Sequence, residues 1–204
     1  TFILFHLVMA VCTSDPIIIV GAGALGLSAA LHLSQQGYTN ISVFEKDNVP
    51  SGDSNVVHRA AQDAGVQFFF GSPVEEIVYV STLTGRKNAG VRTRDAQFHP
   101  SSLVIIEAGA GVGSEAVIGR FRVHDSLATP LSWFTNTKHS NSWVDYVPHD
   151  SSSVILLSGD PRQGSKLFSL VGSLVLDLLG ATSDQQAVNS QDLSEFLNPK
   201  LARL

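Results

Sequence analysis

The sequence has one cysteine, Cys12, in 204 residues. That excludes a disulfide framework and a thiolate-built metal site, and it favours a reducing compartment. Cations are sparse: Lys and Arg total 13 against 18 Asp and Glu, for a formal charge of −5, and they never cluster beyond pairs. Phosphate backbones are gripped by clustered cations, so nucleic acid is not an expected partner. Long apolar runs are missing too. Phe2 to Val11 is too short for a membrane span and lacks the basic flank of a signal peptide, so no stable span is expected. Met9 reads as the natural start, with Thr1 to Val8 upstream of it and a weak signal peptide as the alternative.

Against these absences stand 44% hydrophobic residues and 17 glycines. The glycines alternate with Val/Ile-rich runs, which points to an α/β protein rather than a helical bundle. The apolar content suffices for one sizeable core, or for one domain and part of another.

Pro16 to Val20 is a continuous β-branched run, as in a strand buried on both faces. Leu27 to Gln36 has helical spacing, with Gly37 as its C-terminal stop. Ile41 to Phe44 reads as a second parallel strand. Val56 to Ala64 predicts a short helix and Val66 to Phe70 a strand. Val74 to Val80, Ala89 to Thr93 and Gln97 to His99 predict a small antiparallel meander, with a turn at Arg86-Lys87-Asn88. Leu103 to Ile106 is a further buried strand, and strand-like pieces follow at Leu131 to Thr135, Ser142 to Val147 and Val154 to Leu157. Gly164 to Leu179 is a mostly apolar helix, and the tail from Gly180 is polar.

Between the first strand and helix lies Gly21-Ala22-Gly23-Ala24-Leu25-Gly26, a G-x-G-x-x-G. Gly21 permits the tight turn, Gly23 lets backbone approach a pyrophosphate, and Gly26 allows close helix–strand packing. The phosphates would rest on the helix N-terminus, beside Ala24 and Leu25. Glu45 lies 19 residues beyond Gly26, at the end of the second strand, placed to accept hydrogen bonds from a ribose diol. Bare glycines are weak evidence, but strand, glycines, helix, strand and acid in this order form a strong dinucleotide signal.

Several blocks resemble one family: the FAD-dependent amine oxidases related to D-amino-acid oxidase and sarcosine oxidase. The closest branch is that of the fungal fructosyl-amino-acid (amadoriase) and saccharopine oxidases. The resemblance is carried by Met9-Ala-Val, Ile17-Ile-Ile-Val-Gly-Ala-Gly and Ala30-Leu-His-Leu-Ser-Gln-Gln-Gly-Tyr-Thr-Asn-Ile at the N-terminus. It continues in the return block Ala60 to Ala110, then Ser132-Trp-Phe-Thr-Asn-Thr, Asp145-Tyr-Val-Pro-His and the loop Gly159 to Lys166. It implies a Rossmann-like FAD-binding domain of the glutathione-reductase type, with FAD rather than NAD as ligand. The further cofactor contacts it implies are Lys46, Ser51, Val74, Ala108, Gly109, Gly159, Gly164, Ser165 and Lys166. Lys166 resembles a substrate-carboxylate contact, and a lysine near a helix start is the plainer reading. The activity implied is oxidation of the C–N bond of a secondary amine or amino acid, with oxygen reduced to peroxide.

The chain departs from the pattern in ways that bear on activity. After Asn55 and again after Ala110 it lacks long stretches from which the family builds its substrate domain, so that domain is expected to be largely missing. The expected organisation is an extension over residues 1–15, an FAD-binding domain over 16–180 with a substrate-domain remnant around 111–158, and a polar tail over 181–204. Ser132 replaces the cysteine that bonds covalently to flavin, so FAD would be noncovalent. Pro161-Arg162-Gln163-Gly164 replaces Ser-Gly-His-Gly. Two readings therefore stand: an impaired amine oxidase, or a noncatalytic nucleotide-binding remnant from a mis-spliced gene model. An NAD-dependent dehydrogenase ranks third, since it does not need the return strand Leu103 to Ala110.

The histidines show no metal-ligand spacing. Asp145 and Asp150 read as turn or surface carboxylates, and Trp133 and Trp143 as core. Ala202-Arg203-Leu204 fits the small–basic–Leu form of the peroxisomal address. It implies a peroxisomal location with the import receptor as partner, and the cytoplasm is the alternative.

Overall fold

A computed structural model describes residues 11–50, 55–83, 85–107, 143–147, 150–158 and 164–180. Strand β1, Ile17–Val20, pairs in parallel with β2, Ile41–Phe44, on one side and with β7, Leu103–Ile106, on the other. Outside β2 lies β3, Gln67–Phe69. Outside β7 come β9, Val154–Ser158, and then β8, Trp143–Tyr146, as an antiparallel edge. The strand order is β3-β2-β1-β7-β9-β8. A second sheet is the meander of β4, Val74–Thr82, β5, Gly85–Thr93, and β6, Phe98–Pro100. The helices are α1, Ala24–Gln35, α2, Asn55–Asp63, and α3, Gly164–Leu178.

The β-branched run in β1 is explained by its position in the middle of the sandwich. Ile17 and Ile19 pack into the core on the helix side, together with Leu103 and Ile105 of β7 and Ile155 and Leu157 of β9. Ile18 and Val20 face the opposite way, with Val104, Ile106, Val154 and Leu156, onto Ile77 and Val91 of the meander. A strand covered on both faces has no polar side, so continuous apolar residues are what it requires. The result is three layers: helices, parallel sheet, meander.

The α/β expectation and the meander are found, with local differences. Helix α1 begins at Ala24, because Gly23 is its N-cap and the second half of the glycine motif is already helical. Gly37 (φ +87°) ends it in the left-handed conformation, its N–H donating to the Ser34 carbonyl and that of Tyr38 to Leu33. The expected turn at Arg86-Lys87-Asn88 is instead part of β5, and the hairpin closes where Thr82 pairs with Gly85. Strands β8 and β9, from the stretch assigned to a substrate-domain remnant, complete the same sheet as the glycine loop. Asp150 opens a turn, its carbonyl accepting from the Ser153 N–H, but it is not a surface carboxylate. It is fully buried, accepting a hydrogen bond from Tyr79 Oη at 2.9 Å and an ion-paired one from Arg86 Nε. The expected strand at Leu131 to Thr135, the residues Ser132 and Trp133, and the tail with Ala202-Arg203-Leu204 lie outside the described residues.

Candidate functional site

Strand order reverses at β1: β2 lies on one side of it and β7, reached by the next crossover, on the other. Crevices at the carboxyl ends of strands at such a switch point are where open α/β sheets bind ligands. The glycine loop leaves β1 at this place. Gly21 has φ +108°, a conformation closed to most side chains, and a Cβ there would collide with the Glu107 carbonyl just past β7. A Cβ on Gly26 would run into the Gly21 carbonyl and touch Ile19, so the third glycine sets how closely α1 approaches β1. No side chain caps α1, and its first turn holds no acidic residue. Its N-terminal dipole is thus not met by any side chain of its own first turn, which leaves an anion to come from elsewhere.

Glu45, buried at the end of β2, reaches across to this loop. Its Oε2 accepts a hydrogen bond from the Ala22 N–H at 2.8 Å, and its Oε1 accepts one from Asp47 N–H at 3.0 Å. The Glu45 carbonyl accepts from Ser72 N–H at 2.9 Å, which draws the start of β4, with the buried Val74, toward the same strand end. Lys46 points outward, its exposed ammonium 2.5 Å from Asp47. Gly21, Gly23, Ala24, Leu25, Gly26, Glu45 and the approach to Val74 are therefore brought together. Gly164, Ser165 and Lys166 form the first turn of α3, of which only the backbone is described. Ser51, Ala108, Gly109 and Gly159 lie outside the described residues.

A residue that the sequence reading did not single out stands in the middle of the site. Glu107 follows directly after β7, and its Oε2 accepts a hydrogen bond from the Gly23 N–H at 3.1 Å. Both of its carboxyl oxygens lie where a Cβ of Gly23 would be. Loss of solvation and the neighbouring Glu45 carboxylate push its pKa up to about 8, against the lowering effect of the Gly23 N–H. The available signal was a lone acid at the carboxyl end of the apolar strand Leu103-Val-Ile-Ile. Among the described residues no group of three or more His, Cys, Asp or Glu could hold a metal ion. No described helix is long and apolar enough to cross a membrane.

The family model of the NAD(P)-binding Rossmann-like domain matches residues 19–79, from β1 through the glycine loop and Glu45 into β4. The parallel-sheet domain has a Rossmann-like fold. No curated protein matches the chain in sequence. Among solved structures, an amadoriase I mutant from Aspergillus fumigatus is similar at a TM-score of 0.65 and 13% identity, over 84% of this chain and 87% of the other. The deglycating fructosamine oxidase (amadoriase II) of the same organism matches at 0.65 and 13%, over 85% and 88%. THI4 of Thermovibrio ammonificans matches at 0.61 and 13%, over 85% and 91%. At such identities the likeness is one of fold, and the Rossmann-like domain here shares that fold with the amadoriases.

Proposed function

We propose that the chain binds FAD noncovalently on the Gly21–Gly26 loop and derives from an FAD-dependent oxidoreductase acting on amines, of the fructosyl-amino-acid or sarcosine type. The observation that carries the reading is the convergence at the switch point of an uncapped helix N-terminus, the close-packed glycines and the buried Glu45. The loop and α1 would hold the pyrophosphate, and Glu45 would trade its hydrogen bond from Ala22 for the ribose hydroxyls. The meander followed by the return strand β7 supports FAD over NAD, as does the fold shared with the amadoriases. When bound, flavin supplies hydride acceptance and reoxidation by oxygen with release of peroxide, and the protein contributes position and electrostatics. Lys166 would contact the substrate carboxylate.

A second reading, a noncatalytic nucleotide-binding remnant, is favoured by the Glu107 carboxyl lying against Gly23.

The test is to mix the purified chain with FAD, desalt it and record the visible spectrum. Retained flavin absorbance, lost in Gly21→Val, is the expected result. Binding of NAD with no retention of FAD would overturn the choice of cofactor. A peroxide assay with fructosyl-lysine, sarcosine and saccharopine then separates the oxidase from the remnant.

A further inference from the structure

The second glycine of a dinucleotide loop is small so that phosphate oxygens can come up against its backbone. In this chain that approach is taken. The Glu107 carboxyl lies on the Gly23 backbone, accepts its N–H at 3.1 Å and fills the space that a Cβ would need. It does so from the carboxyl end of β7, across the switch point, in front of a helix that has no other acidic group in its first turn. A carboxylate is the side chain that most resembles a phosphate in geometry and charge, and a helix N-terminus attracts either.

We propose that Glu107 occupies the place of the ligand's pyrophosphate, so that the carboxyl group and the dinucleotide compete for one slot and the fold carries its own inhibitor. The inference rests on the dinucleotide reading above. A bound pyrophosphate must either displace Glu107 from the Gly23 N–H or lie beside it. Lying beside it requires a neutral carboxyl, since two anions held against one helix N-terminus repel. Among the described residues, the titratable side chain whose charge acts on Glu107 is Glu45, from the end of β2, and it too is acidic. No described cation therefore offsets the repulsion.

The experiment titrates FAD, whose pyrophosphate stays fully ionised throughout, into the full chain and its Glu107→Ala and Glu107→Gln variants at pH 6 and pH 9, following flavin fluorescence. The wild-type chain is expected to lose affinity from pH 6 to pH 9. At pH 9 Glu107→Ala should bind about tenfold more tightly than wild type, the scale of one charge-assisted hydrogen bond. Glu107→Gln keeps the shape and loses the charge, so its affinity should be flat across this range. It also preserves the comparison if the alanine variant fails to fold. Equal affinities for the three proteins at both pH values would overturn the competition and leave the dinucleotide site standing. If none of the three, shown folded by thermal melts, binds FAD at either pH, both readings fall together.

Discussion

Glu107 also bears on stability. Its carboxyl is harder to ionise in the folded chain, where its pKa is about 8, than in the unfolded one, where a glutamate titrates near its ordinary value of 4.5. A group whose folded pKa is raised contributes stability that is fully present below the unfolded pKa and is lost as pH rises through the folded one. The window here thus runs from about 4.5 to about 8. The Tm of the wild-type chain should fall relative to that of Glu107→Gln between pH 5 and pH 9, with each kcal/mol lost lowering it by roughly 2–4 °C in a chain of this size. Parallel Tm–pH profiles for the two proteins would show that the group ionises freely. The glycines and Glu45 were legible because their meaning lies in short spacings along the chain. Glu107 was not, because it acts on a residue 84 positions away that only the pairing of β7 with β1 brings near.

At the level of elements, α1 and α3 lie side by side over the sheet, and Gly172 of α3 rests on the His32 ring of α1. That ring is fixed by a 2.8 Å hydrogen bond between Nδ1 and the Ser28 carbonyl. A Cβ at Gly172 would overlap the imidazole, so Gly172→Ala should destabilise by about 1–3 kcal/mol although alanine is the better helix former. Adding His32→Ala should recover much of the loss, and a thermal or urea double-mutant cycle measures the coupling. Additive effects of the two changes would remove the contact from the account. The meander teaches a different lesson about legibility. Its existence is readable from alternation, but Arg86-Lys87-Asn88, three polar residues in a row, resemble its first turn. Their partners are distant: Arg86 pairs with Asp150, and Asn88 is buried, donating from Nδ2 to the Ser102 and Ser153 carbonyls. Polar residues satisfied by tertiary contacts mimic a turn until the fold is known.

Across the whole molecule, those same contacts fasten the meander to the parallel sheet. Asp150, just ahead of β9, receives Tyr79 from β4 and Arg86 from β5, and the Arg86 guanidinium lies 4.1 Å from the centre of the Tyr79 ring. Removing one partner of a buried pair strands the other without solvent. Asp150→Asn should therefore cost up to about 3 kcal/mol, the low end for such pairs because Arg86 is partly exposed. Urea unfolding checks this, and a loss under 0.5 kcal/mol, the size of an ordinary surface change, would show the cluster to be incidental. The three-layer arrangement was legible from the apolar runs, since a strand with no polar side must be covered twice.

The strand order has a consequence for the chain as it is made. Strand β7 leaves the ribosome with β1 already available on one side, but its other partner, β9, begins only at Val154, 48 residues after Ile106. At ordinary rates of translation that gap lasts roughly 2–10 s. During it the Leu103-Val-Ile-Ile edge faces solvent with unpaired backbone groups, the kind of surface on which nascent chains stick to one another. That edge is therefore the part of the unfinished chain most open to association, whatever the stability of the finished fold.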